Sequence, residues 1–218
     1  MPGRSGARTT PKIASEKLMT QDLAPRDFIH AYLHKSAELK REVADKCGDA
    51  ILAAVEEIAG AFRSGHKILL CGNGGSAADC QHMAAEFVGV LNKEFRRPGL
   101  AAIALTTDTS FLTAFTNDFG FEGVFAQQVE TLGNAGDILI GISTSGNSPN
   151  VVRAMEAAQA RGLGTIALTG SSGQLTQVAD VSVAVPGTET QHIQEAHLAI
   201  EHLICELVEK QVFSRNAD

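Results

Sequence analysis

Two segments of this 218-residue chain place small polar residues where an apolar run gives way to helical text, and a third resembles them. Ser143-Thr144-Ser145-Gly146-Asn147-Ser148-Pro149 packs four hydroxyls into six residues ahead of a helix that starts near Pro149. Hydroxyl donors gathered at a helix start suit a phosphate monoester without any lysine or arginine, whereas a plain N-cap needs only one hydroxyl. Gly72-Asn73-Gly74-Gly75-Ser76 also follows an apolar run and opens a helix. Its glycines let backbone approach a ligand closely, and the helix start offers N–H groups to an anion. No Gly-Lys-Ser/Thr follows, so it is not a Walker A loop, and Ala78 stands where a dinucleotide fingerprint has its third glycine. That fingerprint tolerates alanine there, and many such loops are simple strand–helix turns. Thr169-Gly170-Ser171-Ser172-Gly173 has the same flavour but is generic.

Titratable side chains gather on two helices. His82 and Glu86 stand at i and i+4 on the helix opened by the glycine loop, and so share a face. Gln194, His197, Glu201 and His202 lie on the last helix, where Gln194 and His202 are two turns apart and project to nearly one side. Taken alone, a His/Glu pair at this spacing is also what a solvated helix face carries. The closeness of His82 and Glu86 to the glycine loop favours the functional reading.

The elements that must position these residues follow from hydrophobic pattern. Lys67–Cys71, Leu100–Leu105, Ile138–Ile142, Gly164–Leu168 and Val181–Val185 are short apolar runs separated by helical or loop text. That alternation predicts an α/β fold: a five-stranded parallel sheet flanked by helices, with ligands at the carboxyl ends of its strands. The glycine loop leads into a helix expected to run to Leu91, the serine loop into one over Val151–Arg161, and the chain closes with a helix over Thr190–Val212. Two helices, Pro25–Cys47 and Ile51–Phe62, precede the first strand. Such a prefix packs either against another subunit or as an intrachain bundle. Residues 1–20 show no periodicity and read as a flexible extension, leaving residues 21–218 as one domain.

Composition removes several function classes. No apolar run approaches the roughly 20 residues of a membrane span, and no apolar segment of a secretory leader follows the basic residues near the start. The formal charge is −7, aromatic residues are 5% and tryptophan is absent, which disfavours nucleic acid as a partner. Cys47, Cys71, Cys80 and Cys205 show no C-x-x-C spacing, which suits reduced thiols in a cytoplasmic protein.

Four stretches together carry a resemblance: CGNGGSAAD, TNDFGFEGVF (Thr116–Phe125), GISTSGNSPNV and IQEAHLAIEHLICELVE. The chain from about Asp27 onward resembles the sugar isomerase domain family, GISTSGNS marking the wider family, and specifically its phosphoheptose isomerase branch. The resemblance implies a cytoplasmic homotetramer with active sites at subunit contacts. The implied reaction converts sedoheptulose 7-phosphate to D-glycero-D-manno-heptose 7-phosphate for surface polysaccharide. It implies Glu86 and His202 as the catalytic pair. Asn73, Gly74, Gly75, Ser76, Glu86, Asn117, Asp118, Ser143, Thr144, Ser145, Ser148 and Gln194 would contact the sugar phosphate. His82, Glu86, Gln194 and His202 match positions that bind zinc in some members, one ion per subunit, and two imidazoles with two oxygens make a set that tetrahedral zinc accepts. The branch often carries an acidic residue just before the catalytic glutamate, where this chain has Ala85. The competing readings are a non-catalytic sugar-phosphate sensor of the same fold, which would usually carry a basic DNA-binding module absent here, and a pentose or hexose phosphate isomerase.

Overall fold

The computed structural model describes residues 23–213; the extension expected over residues 1–20 lies outside them. Helix α1 (Pro25–Lys46) is followed, after Cys47 alone, by α2 (Gly48–Arg63). Among the described residues, those through Glu38 fall in one unit and those from Leu39 onward in a second, larger one. The larger unit alternates β1 (Ile68–Gly72), α3 (Gly75–Val88), β2 (Ala102–Ala104), α4 (Thr109–Phe119), a 3-10 turn (Phe121–Gly123), α5 (Val124–Leu132), β3 (Ile138–Ser143), α6 (Pro149–Ala160), β4 (Gly164–Gly170), the short α7 (Leu175–Val178), β5 (Val181–Val185) and α8 (Thr190–Phe213).

All strands are parallel, in the order β2-β1-β3-β4-β5. Every residue of β1 and β3 is buried, because both faces of the sheet are covered and neither side of the pleat meets water. Ile68, Leu70, Ile138, Ile140 and Ile142 pack with α2, α3 and α8 on one face. Leu69, Cys71, Leu139 and Ala167 pack with α5 and α6 on the other. The chain winds outward in opposite directions from β1 and β3, so the crevice beyond their carboxyl ends is the topological switch point where such sheets take ligands.

Boundaries of several elements differ from the sequence reading. The second strand covers Ala102–Ala104 rather than Leu100–Leu105, since β2 is an edge strand whose ladder has one neighbour only. Helix α3 stops at Val88, three residues early, where Gly89 caps it and donates to the Ala85 carbonyl. Helix α2 begins at Gly48, because the chain re-enters helix immediately after Cys47. All four cysteines are buried and free. Burial pushes the Cys71 thiol up to about 12, so it is no nucleophile. Among the described residues no helix is long and apolar enough to cross a membrane.

The core also holds ionisable groups. His197 is fully buried, its Nε2 3.1 Å from the Thr169 carbonyl oxygen, to which it donates. Burial lowers its pKa to about 4, against the hydrogen bond, which raises it. The unfolded chain, near 6.5, therefore takes this proton first on acidification. Stability from this group is full above pH 6.5 and drains away as pH falls toward 4, by about 3 kcal/mol. His197→Gln is expected to flatten that acid limb in urea titrations at pH 7, 5.5 and 4.5; an unchanged limb would show that another group controls it.

Candidate active site

The loops after β1, β3 and β4 leave adjacent strands at one edge of the sheet, Gly72 lying beside Ile142 and Ser143 beside Thr169. The glycine loop presses tightly on its surroundings. A Cβ on Gly72 would stand 2.8 Å from the Ser76 carbonyl and 3.0 Å from that of Ile142. One on Gly75 would meet the Gln194 amide, its Oε1 at 2.5 Å, so this glycine makes room for a side chain of α8. Gly74 has φ +58° and no side chain caps α3 there, which leaves a bare helix start facing the crevice edge, with Ser76 buried in its first turn.

The serine loop is organised by its own hydroxyls. Ser143 Oγ lies 2.9 Å from Ser148 Oγ and 3.3 Å from Ser145 Oγ. Ser148 occupies the N-cap of α6 yet makes no capping bond, its hydroxyl turned toward Ser143 instead. Capping therefore does not account for this residue. Asn147 holds the bend through its backbone N–H to Ser145 Oγ (3.2 Å) and its side chain to the Ser145 carbonyl (3.0 Å). Asn73 and Asn150 exchange two amide hydrogen bonds, both 2.8 Å, tying the glycine loop to the start of α6. Thr144 is half-buried in the same loop.

Helices α3 and α8 meet at imidazoles. His82 Nε2 and His202 Nε2 are 2.7 Å apart with rings nearly perpendicular at 88°, so one donates to the other. Glu86 Oε1 lies 3.8 Å from His82 Nε2. Gln194 Nε2 donates to both carboxylate oxygens of Asp79, at 3.3 and 3.2 Å, leaving its amide oxygen for another partner. Asp79 is buried, and burial raises its pKa. Glu201, fully buried one residue before His202, is pushed up to about 8 by burial and then by the Asp79 charge, and it stays protonated at neutral pH.

The structure thus groups Ser143, Ser145 and Ser148 in one cluster and His82, Glu86 and His202 in another, with Asn73 and Gly75 linking the glycine loop to α6 and α8. Asn117 and Asp118 stand elsewhere, exposed on the last turn of α4 and hydrogen-bonded to each other at 2.7 Å. Among the described residues neither bonds to another candidate. Two residues escaped the sequence reading. Asp79 stands three residues before His82 and seven before Glu86, so helical spacing alone placed it on their face. Asn150, directly after Pro149, reads as ordinary helix text and carries no comparable signal.

The donor types suit zinc. Two imidazole nitrogens lie side by side in a mutual hydrogen bond, with a carboxylate on the α3 face of His82 and an amide oxygen on α8, a donor set of the types zinc takes. Among the described residues no three His, Cys, Asp or Glu side chains are gathered closely enough to hold an ion as they stand.

A parallel sheet with hydroxyl-rich and glycine-rich loops at its switch point, beside a His/Glu cluster between two helices, has the makings of an enzyme site for a small anionic ligand. The SIS domain model matches residues 31–170. The phosphoheptose isomerase of Chlorobaculum tepidum is 54% identical over 179 residues, 81% of this chain and 86% of that protein. That of a Roseiflexus species is 50% identical over 182 residues, 83% and 91%. The solved phosphoheptose isomerase of Neisseria gonorrhoeae superposes with TM-score 0.81 at 43% identity, covering 86% of this chain and all of that one. The chain belongs to the SIS domain family and, within it, to the phosphoheptose isomerases.

Proposed function

We propose that the protein interconverts sedoheptulose 7-phosphate and D-glycero-D-manno-heptose 7-phosphate, supplying heptose for surface polysaccharide. The observation that carries this reading is the Glu86–His82–His202 cluster set between α3 and α8, on a chain whose relatives are phosphoheptose isomerases. Moving a proton between C1 and C2 through an enediol requires a base for a carbon-bound proton and an acid for the oxygen side. Glu86 is assigned to the carbon-bound proton. His202 is assigned to ring opening or hydroxyl proton transfer. The hydroxyls of Ser143, Thr144, Ser145 and Ser148, with the bare start of α3 at Gly74 to Ser76, hold the phosphate. That remote anchor positions the reacting carbons. Asn73 and Gln194 are assigned to the sugar phosphate, and so are Asn117 and Asp118, on the resemblance of TNDFGFEGVF alone.

Zinc, one per subunit, is proposed on His82, Glu86, Gln194 and His202; when bound it supplies a Lewis acid for the substrate oxygens. Assembly as a homotetramer is supported by apolar side chains left exposed, among them Leu52 on α2, Val88 on α3, Leu198 and Leu203 on α8, and Phe119 and Phe121. Four free thiols suit a cytoplasmic location.

Turnover measured on a panel of ketose phosphates of five, six and seven carbons tests the reaction. Sedoheptulose 7-phosphate is expected to be preferred, and preference for a shorter sugar would overturn the substrate. Light scattering on the same preparation distinguishes a tetramer from a 22.9 kDa monomer. Ser145→Ala with Ser148→Ala is expected to raise KM about 100-fold or more, since each hydrogen bond to a charged group contributes about 1.5–3 kcal/mol. An unchanged KM would remove the phosphate from this loop.

A further inference from the structure

The Glu86 side chain faces His82, and its main-chain carbonyl is held by Arg97. That arginine follows α3 on the connection to β2, and its side chain is 1% exposed. Its guanidinium Nη2 donates to the Glu86 carbonyl at 2.8 Å, and Nη1 donates to the Phe87 carbonyl at 2.8 Å and the Pro98 carbonyl at 3.0 Å. Nε and Nη2 both reach Glu209 Oε1, at 2.9 and 2.5 Å. Glu209 lies on α8, is 4% exposed, and accepts a further bond from the Leu91 backbone N–H at 3.2 Å. The Phe213 ring lies 5.8 Å from the guanidinium carbon, closing the site from α8.

The placement has a mechanical consequence. The carbonyls of Glu86 and Phe87 belong to the last turn of α3, where helical partners run out, and a cation there also meets the negative end of the helix dipole. Glu209 stands two turns beyond His202 on the same helix, about 10.5 Å along its axis. Arg97 therefore joins the residue that carries the catalytic carboxylate to the helix that carries the imidazole, through bonds that themselves touch neither reacting group. A planar five-donor fork can serve this set of acceptors; a lysine ammonium cannot span them.

We propose that Arg97 and Glu209 are positioning residues that set the separation of Glu86, on α3, from His202, on α8. This rests on the reading of Glu86 and His202 as the reacting groups. A tether of this kind acts on transition-state geometry more than on substrate affinity, since small displacements of a reacting group from its productive position cost heavily in rate.

The test compares full-length Arg97→Lys and Glu209→Gln with wild type and with Glu86→Gln. Sedoheptulose 7-phosphate turnover is measured per folded active site, alongside amide hydrogen exchange over residues 86–91. Both tether variants are expected to lose roughly ten- to hundredfold in kcat with KM little changed, and to exchange faster at Leu91. Glu209→Asp is expected to recover part of the kcat lost in Glu209→Gln. A kcat within twofold of wild type, a loss explained wholly by the unfolded fraction, or unaltered exchange over residues 86–91 would overturn the proposal. If Glu86→Gln keeps full turnover, the reading of the reacting pair fails instead. If Glu86→Gln is inactive while Arg97→Lys is not, the pair stands and the tether falls.

Discussion

Glu86→Gln is expected to lower kcat by about 10²–10⁴-fold, the range over which a positioned general base contributes, with KM for sedoheptulose 7-phosphate changing far less. The amide keeps the shape of the carboxylate and a hydrogen-bond acceptor, so packing of α3 against α8 is retained. What it loses is the lone-pair basicity that removes a carbon-bound proton. The same residue is proposed as a zinc ligand, and the two roles separate experimentally. If Glu86 only held metal, turnover in the variant would fall in proportion to zinc content and return at saturating zinc. With the base removed, added zinc is expected to restore occupancy but not rate. Metal analysis on protein purified without chelator, paired with steady-state kinetics on wild type, Glu86→Gln and His202→Ala, gives both readouts. Equal zinc in all three proteins would remove the metal from this site, and full turnover by Glu86→Gln would remove the base.

How much of this was legible beforehand depended on whether the governing physics is local. Strands β1 and β3 announce themselves because burial on both faces demands unbroken apolar runs, KILLC and ILIGI. The edge strand β2 does not, since pairing on one side ends where the partner does, and LAAIAL looks apolar well beyond the three residues that pair. The end of α3 was hidden for another reason. Apolar text continues through Gly89 to Leu91, whereas the helix stops at its Gly89 cap and its last carbonyls are taken up by Arg97, eleven residues beyond Glu86.

The same distinction governs the site. The shared face of His82 and Glu86 follows from i, i+4 spacing, and Asp79 was readable by the same rule. The meeting of His82 with His202, 120 positions apart, depends on how α3 and α8 pack across one face of the sheet. Spacing could place each imidazole on its helix, and the family resemblance could pair them, but their 2.7 Å approach is a property of the fold. The serine loop was legible as chemistry, yet its internal order was not: that Ser148 forgoes its helix cap for Ser143 is decided by side-chain rotation.

That loop also depends on a backbone contact that side-chain reasoning does not reveal, and Gly146→Ala is expected to be the most damaging conservative change in it. Gly146 has φ +66°, a conformation in which an L-residue is strained. There is no room either: a Cβ would stand 2.5 Å from the Ser172 carbonyl oxygen, 2.6 Å from Thr169 Oγ1 and 3.1 Å from the Gly173 Cα. Two of these neighbours are backbone, and Gly173, at φ +120°, would itself clash with Gly146 if given a side chain. The two glycines let the loops after β3 and β4 lie against each other, joined by Leu175 N–H to the Gly146 carbonyl and Gln174 N–H to Asn147 Oδ1, both 2.9 Å. Relieving the clash requires those loops to part, carrying Ser145 and Ser148 with them. Strain and overpacking together are expected to cost about 2–5 kcal/mol, with a large rise in KM. Gly74→Ala is the control, because Gly74 is also left-handed at φ +58° but has nothing within 4 Å of its would-be Cβ. It is expected to cost only the conformational strain of that backbone, about 1–3 kcal/mol. Urea denaturation of both variants at matched protein concentration decides the matter: equal losses would mean that the loop contact contributes nothing beyond the backbone angle.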